Sequence, residues 1–418
     1  MLEKNPNHAP PESALEIGTA RGGTLTSLCR LADPRATIIR LVMLRTATAT
    51  LYEILKPVRR ARLSSLASPG VRAPGRILLI CLSHLGDVVL LTPLFANLKL
   101  QFPRAHITVV CKSAVADIPR NHPAIDEVIT YEARWILRPS SRRAGLLDTV
   151  RLIRTLRAGS YDLLVIGYDY PADRLLGLCT GIKAQLSLEG DGIQRCGIPA
   201  AGTPVRHRVE HAFDLLRALG VPIVDAAPSL GVTAADVAWA GEWLREQGLV
   251  GKKILGVHPG SGGPEKCWPA VRFARVAEEL AGRIGCEVVV TGSPVDAEAV
   301  QEFVRVFRGK AARAPMTSTV GQLCALIQRL SVLLCNDCGP MHIAAALRVP
   351  VIAVFGSSSP ALWGPYPPDP RHVVVAAPDG KIESITPEEV LAALAAQRVP
   401  ACSVGVSLPM AARLGFVS

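Results

Sequence analysis

Three short segments of this 418-residue chain gather residue types that can carry group-transfer chemistry. In the first, Ser83, His84, Leu85, Gly86 and Asp87 follow an apolar run that begins at Arg76. A carboxylate where a buried strand gives way to a helix can take a proton from a hydroxyl across a cleft. It can equally be a plain helix cap, where carboxylates are favoured anyway. Gly86 reads as the residue that lets the backbone turn tightly there. In the second segment, Gly260, Ser261, Gly262 and Gly263 stand just before Lys266. Small residues let backbone amides approach a phosphate, and an ammonium can neutralise its charge, although a lone lysine is also an ordinary surface residue. In the third, Asn336, Asp337, Cys338 and Gly339 end an apolar run and open a helix carrying His342 and three alanines, Ala344 to Ala346. The free amides of a helix start make a seat for pyrophosphate; a simple N-cap with a core histidine fits the same residues.

Each segment needs a strand before it and a helix after it, and the chain supplies them. Apolar runs at 76–82, 106–111, 128–131, 163–167 and 184–188 predict strands, with a helix at 92–101 between the first two. A helix at 208–219 ends at Gly220, and the proline-containing stretch 221–230 reads as an interdomain linker. A second cycle follows. Helices are predicted at 236–247, 270–284, 295–308, 320–330, 341–347 and 387–397, with strands at 254–258, 287–291, 332–335 and 351–355. The rhythm predicts an α/β protein of two Rossmann-like domains facing a cleft. The expected division is a basic N-terminal extension at 1–75, a first domain at 76–225, a second at 226–400 and a tail at 401–418.

Composition agrees with a full-cored globular protein: 49% hydrophobic, 19% charged and only 5% aromatic residues. The most apolar N-terminal stretch, 37–55, is interrupted by Arg40, Arg45 and Glu53, so it predicts an amphipathic helix at 34–55, not a membrane span. With a polar start and no signal-peptide pattern, a cytoplasmic protein is expected. Eleven cysteines at irregular spacing suit that compartment. The pair Cys335 and Cys338 reads as coincidence, against a redox pair or half a zinc site, since no second ligand pair accompanies it. The net charge of +11 is concentrated: residues 1–75 carry a surplus of six positive charges and residues 134–157 another six. Those segments fit a solvated face or a surface toward anionic headgroups or a phosphorylated acceptor; nucleic acid fits poorly, with few aromatics interleaved. No D-x-D pair, G-x-S-x-G, H-E-x-x-H or G-x-G-x-x-G is present.

Taken together, the runs beginning at Arg76, His258 and Asn336 resemble the ADP-heptose:lipopolysaccharide heptosyltransferase family over about residues 76–367. The resemblance implies the GT-B fold, with the acceptor on the first domain and an ADP-sugar on the second. It implies inverting transfer without a metal or other cofactor, Asp87 acting as base. Ser261 and Lys266 would contact the donor phosphates, Asp337, Cys338, Gly339 and His342 would form the donor-binding turn, and Asp296 would meet the ribose. Residues 316–319 would lie near the adenine, and His84 on the acceptor side. A lipopolysaccharide core or related anionic, lipid-linked glycan is the implied acceptor, with peripheral contact at the inner membrane. Cys338 stands where the family commonly has a hydroxyl, and the basic extension and the 134–157 segment are not usual family features. The alternatives are a transferase or epimerase using another nucleotide sugar, or a non-catalytic nucleotide-sugar binder.

Overall fold

The computed structural model describes residues 73–132, 142–168, 170–187, 205–309, 311–313 and 319–396. All of these fall within one compact unit. The expected helix at 34–55, nearly all of the N-terminal extension, the adenine-side residues 316–318 and the tail at 401–418 lie outside them, as do Arg134 and Arg138.

The first sheet grows from β1 (Arg76–Cys81), whose last five residues are buried. Apolar side chains on both faces require cover on both sides, the condition of a parallel sheet between helices. β1 pairs with β2 (His106–Cys111) and β4 (Leu163–Ile166), so Ile77 stands opposite both Ile107 and Leu163. β3 (Glu127–Thr130) and β5 (Ala184–Leu186) complete the parallel order β3-β2-β1-β4-β5. Helices α1 (Leu85–Gln101), α2 (Arg142–Ala158), α3 (Pro171–Thr180) and α4 (Glu210–Ala218) accompany it.

The second sheet holds β6 (Ile254–His258), β7 (Glu287–Val290), β8 (Ala311–Arg313), β9 (Val332–Asn336), β10 (Val351–Phe355) and β11 (Val373–Ala376). Its order is β11-β10-β9-β6-β7-β8, again parallel throughout. With it come α5 (Ala234–Glu246), α6 (Ala270–Ile284), α7 (Ala297–Val306), α8 (Val320–Ile327), α9 (Gly339–Ala346) and α10 (Pro387–Ala396). The expected α/β class with two Rossmann-like sheets is what the chain forms. One buried apolar cluster runs from β1 and α1 into α9, β9 and β10, so the halves share core.

Several elements differ from the expectation. α1 starts seven residues earlier than predicted, despite Pro93 inside it. Proline cannot donate to the carbonyl four residues back. The Thr92 hydroxyl donates to that carbonyl, Val89 O, at 2.8 Å, which satisfies it without a backbone amide. The stretch read as a linker is strapped to the same helix: the Asn97 side chain accepts from the amides of Val224 and Asp225 and donates to Asp225 O, while Ser229 N donates to Thr92 Oγ1. The predicted helix at 295–308 begins with a 3₁₀ turn at Pro294–Asp296 before α7 proper. α2, α3, β8 and β11 had no counterpart in the expectation.

Candidate active site

In open parallel sheets a crevice forms outside the carboxyl ends of the strands where chain order reverses. In the first sheet the reversal lies between β1 and β4; in the second, between β6 and β9. The segment after β1 therefore carries Asp87, and the segments after β6 and β9 carry Ser261, Lys266 and Asp337. All three chemistry-bearing segments stand at a reversal point.

Asp87 lies in the first turn of α1 and is 5% exposed. The backbone amide of His84, itself exposed at the N-cap, donates to Asp87 Oδ2 at 3.3 Å. The cap reading is thus correct for one oxygen. The other, Oδ1, is buried without a hydrogen-bond partner among the described residues. Burial pushes the carboxyl pKa above its ordinary value, and the Arg208 guanidinium, with Nε 3.7 Å from Oδ1, opposes part of that rise. A carboxyl tuned upward toward working pH is the better proton acceptor. The Tyr168 hydroxyl donates to the Asp87 backbone carbonyl at 2.9 Å and fixes the turn from below.

Across the gap, Lys266 ends a 3₁₀ turn after the glycine loop, and its ammonium donates to Asp337 Oδ2 at 2.9 Å. The Ser358 hydroxyl donates to the same oxygen at 2.6 Å. Ser261 Oγ donates to Asp337 O at 2.9 Å, which joins the β6 and β9 loops. Asn336 completes the joint. Its amide nitrogen donates to the carbonyls of Pro259 and Gly260, and its carbonyl accepts from Trp268 N at 3.0 Å. Cys338 is the N-cap of α9, is buried and supplies no side-chain cap bond, while Pro340 carries no amide and Met341 N donates to Cys338 O at 3.2 Å. His342 in that helix is 3% exposed, and its Nδ1 has no partner; burial drives its pKa down to about 4 and keeps the ring neutral.

The two helix starts touch. A methyl at Gly86 would lie 2.6 Å from His342 Cδ2, and one at Gly339 would lie 2.8 Å from Leu85 Cδ2. Gly86 is inside the helix and has no positive φ, so its smallness serves this approach and not the tight turn expected of it. Asp87, Lys266, Asp337, Gly339 and His342 are thereby gathered along one gap. Asp296, beyond the carboxyl end of β7, is buried beside the glycine loop: its Oδ2 accepts from Ser293 N and Oγ at 2.8 and 2.5 Å and lies 3.9 Å from His258 Nε2, and its carboxylate stands against Gly260. Of the adenine-side residues only Thr319 is described, where it caps α8 by accepting from Gln322 N. Among the described residues no three His, Cys, Asp or Glu side chains are grouped to hold a metal ion.

Sequence reasoning missed two residues of this gap. Arg208 was no more than the start of a predicted helix, yet it reaches Asp87 from 121 positions away. Asp173 of α3 is fully buried, accepts from Leu82 N at 3.3 Å, and burial lifts its pKa to about 8. Ser83, already part of the first predicted segment, has its hydroxyl buried beside the Cys81 thiol. Only the contrast of charged residues inside apolar helices could have pointed to Asp173; nothing local marks Arg208.

Two doubly wound parallel sheets, with a buried carboxyl on the edge of one and a lysine, glycine loop and helix start on the edge of the other, have the architecture of the GT-B class of glycosyltransferase. Residues 149–387 match the family described as Glycosyltransferase family 9 (heptosyltransferase), a match that begins beyond Asp87. Lipopolysaccharide heptosyltransferase 3 of Escherichia coli K12 is 30% identical over 303 residues, 67% of this chain and 82% of that protein. The crystal structure of a family 9 glycosyl transferase from Veillonella parvula aligns with TM-score 0.66 and 26% identity, covering 77% of this chain and 97% of that one. That of Escherichia coli ADP-heptose lps heptosyltransferase II aligns at 0.61 over 77% and 98%, at 23% identity a likeness of fold. The chain belongs to glycosyltransferase family 9, the heptosyltransferases.

Proposed function

We propose that this enzyme moves a heptose from ADP-heptose to a hydroxyl of a lipopolysaccharide-core or related anionic glycan, with inversion and without a metal. The first half, 76–225, takes the acceptor, and the second, 226–400, takes the donor. The relatives' names supply the sugar, the nucleotide and the acceptor class. The observation that carries the mechanism is the buried, unpartnered Oδ1 of Asp87, placed one glycine away from the His342 ring.

Asp87 accepts the proton of the acceptor hydroxyl as that oxygen bonds to the anomeric carbon. The carbon–oxygen bond to ADP breaks on the opposite face, and the departing diphosphate carries away the electron pair. Its charge is met by Lys266, shared with Asp337, and by the positive end of α9. His342, neutral at working pH, contributes a dipole and not a charge.

Replacing Asp87 by Asn keeps the shape of the cap and removes the base. Acceptor-dependent ADP release should fall by roughly 10²- to 10⁴-fold, the usual contribution of general-base help, while calorimetry still detects ADP binding. Wild-type turnover in Asp87→Asn would remove the residue from the mechanism.

The anionic acceptor and a peripheral contact with a charged membrane belong to the same proposal. α2 supports them: Leu146 and Leu147 are 58% and 59% exposed beside Val150, Arg151 and Arg154 on a helix with a basic last turn. Apolar residues rimmed by arginines suit the boundary between headgroups and acyl chains.

A further inference from the structure

We propose that Arg208 is the positioning residue of the reaction: clasped between the Tyr168 and Trp363 rings, its guanidinium steers the Asp87 carboxylate without donating to it. This rests on the reading of Asp87 as the base. The guanidinium carbon lies 4.2 Å from the centroid of Tyr168 and 5.3 Å from that of Trp363. His211 stacks on Tyr168 at 5.0 Å and is itself anchored by Nε2 to Gly167 O at 2.6 Å. Planar guanidinium between aromatic faces is a geometry that lysine cannot reproduce.

The distance to Asp87 decides the role. At 3.7 Å, Nε attracts Oδ1 but makes no hydrogen bond, and both atoms are buried without partners. A direct bond would occupy the lone pair that must receive the acceptor's proton. Here the positive charge favours the carboxylate while that lone pair stays open. An opposite charge at this range lowers a carboxyl pKa by about one to three units.

The residue is also held from both halves of the protein. Its backbone amide donates to Leu362 O at 2.8 Å, and neighbouring His207 engages Gly364 O at 3.0 Å and stacks on Tyr366 at 5.0 Å. Tyr168 follows β4 in the first half, whereas residues 362–366 belong to the second. The clasp is complete only where the two halves meet.

Other charged or titratable groups facing Asp87 are His84 at its own cap, Cys81 at the end of β1, Lys112 after β2, Asp173 of α3, Tyr168 and Tyr170 after β4 and, across the gap, His342. None of these changes in the variants below, so a shift reports Arg208. The test uses the full chain with ADP-heptose and a lipopolysaccharide-core preparation, and follows kcat/KM for ADP release against pH. The acidic limb reports the base of the free enzyme. Arg208→Gln removes the opposing charge, so the base titrates higher and the acidic limb moves up by about one to three pH units. Arg208→Lys keeps a charge and should bring the limb back to within about half a unit while kcat stays depressed, because the head no longer fits the clasp. Trp363→Leu, which leaves Arg208 in place but opens one wall, should move the limb in the same direction by less. An unmoved limb in Arg208→Gln, a Lys variant shifted as far as Gln, or an upward shift absent from Trp363→Leu if Arg208→Gln does not fold, overturns the proposal. Turnover surviving Asp87→Asn is the separate result that would sink the underlying reading.

Discussion

Adding one methyl group at Gly86 tests the meeting of the two helix starts more sharply than removing any catalytic atom. An alanine Cβ there would stand 2.6 Å from His342 Cδ2 and 3.1 Å from Nε2. Ordinary carbon contacts are about 3.4 Å or longer, so the ring or the helix must retreat by roughly 0.8 Å. The ring is 3% exposed and cannot swing into solvent. Two effects compete. Alanine in place of glycine favours a helix by up to about 1 kcal/mol, while overpacking a closed site costs about 1–3 kcal/mol. The clash should win, so thermal unfolding of Gly86→Ala should occur several degrees lower, and kcat/KM should fall at least tenfold as donor and base lose register. The decisive arm is the double variant. In a His342→Ala background the obstacle is gone, and the added methyl should become neutral or mildly stabilising. Calorimetry and ADP-release kinetics on the four proteins of this cycle give the coupling directly. Equal penalties for Gly86→Ala with and without the His342 ring would refute the close approach as the reason for glycine.

Three more expectations follow from the same geometry. Lys266→Met should weaken ADP binding by roughly 10- to 100-fold, the scale of one charge-assisted bond; unchanged affinity by calorimetry would exclude the ammonium from the phosphate site. Asp173 has a folded pKa near 8, above its unfolded value, so it binds a proton more tightly in the folded state, and its stabilising contribution fades as pH rises toward 8. Asp173→Asn should therefore raise the melting temperature at pH 8 relative to wild type and make little difference near pH 4, and equal shifts at both pH values would contradict burial as the cause. Vesicles containing anionic lipid should sediment the protein and neutral vesicles should not, with Leu146→Glu together with Leu147→Glu reducing the bound fraction; binding indifferent to lipid charge would count against the α2 surface.

The strands were legible because parallel strands buried on both faces leave the same trace wherever they occur. β1, β2, β6, β9 and β10 each read as a mostly apolar run, and each was found within a residue or two. The three chemical segments were legible for the related reason that each sits where such a run stops. What stayed hidden depended on distant partners. The repair of Pro93 by the Thr92 hydroxyl could not be seen without knowing that α1 continues through both residues. α2 looked like an arginine-rich insertion because, of its described large apolar residues, only Leu152 and Leu156 are buried, too few to impose a helical period against so many charges. β8 and β11, at three and four residues on the sheet edges, are too short to signal. Gly86 was assigned a local reason when its reason is His342, 256 positions away. Arg208 is the extreme case, since Tyr168, Trp363 and Asp87 come from three different parts of the chain.

The ion pair between Lys266 and Asp337 bears on turnover as well as on binding. On the proposed reading, an arriving diphosphate meets an ammonium that already has an anionic companion, with Ser358 helping to hold that companion in place. The nucleotide must share the cation, and so it is gripped less firmly than by a bare lysine. After transfer, spent ADP faces a carboxylate ready to reclaim the same ammonium. On that reading a built-in rival of this kind would speed the departure of product and keep the second half of the protein from being locked by its own by-product.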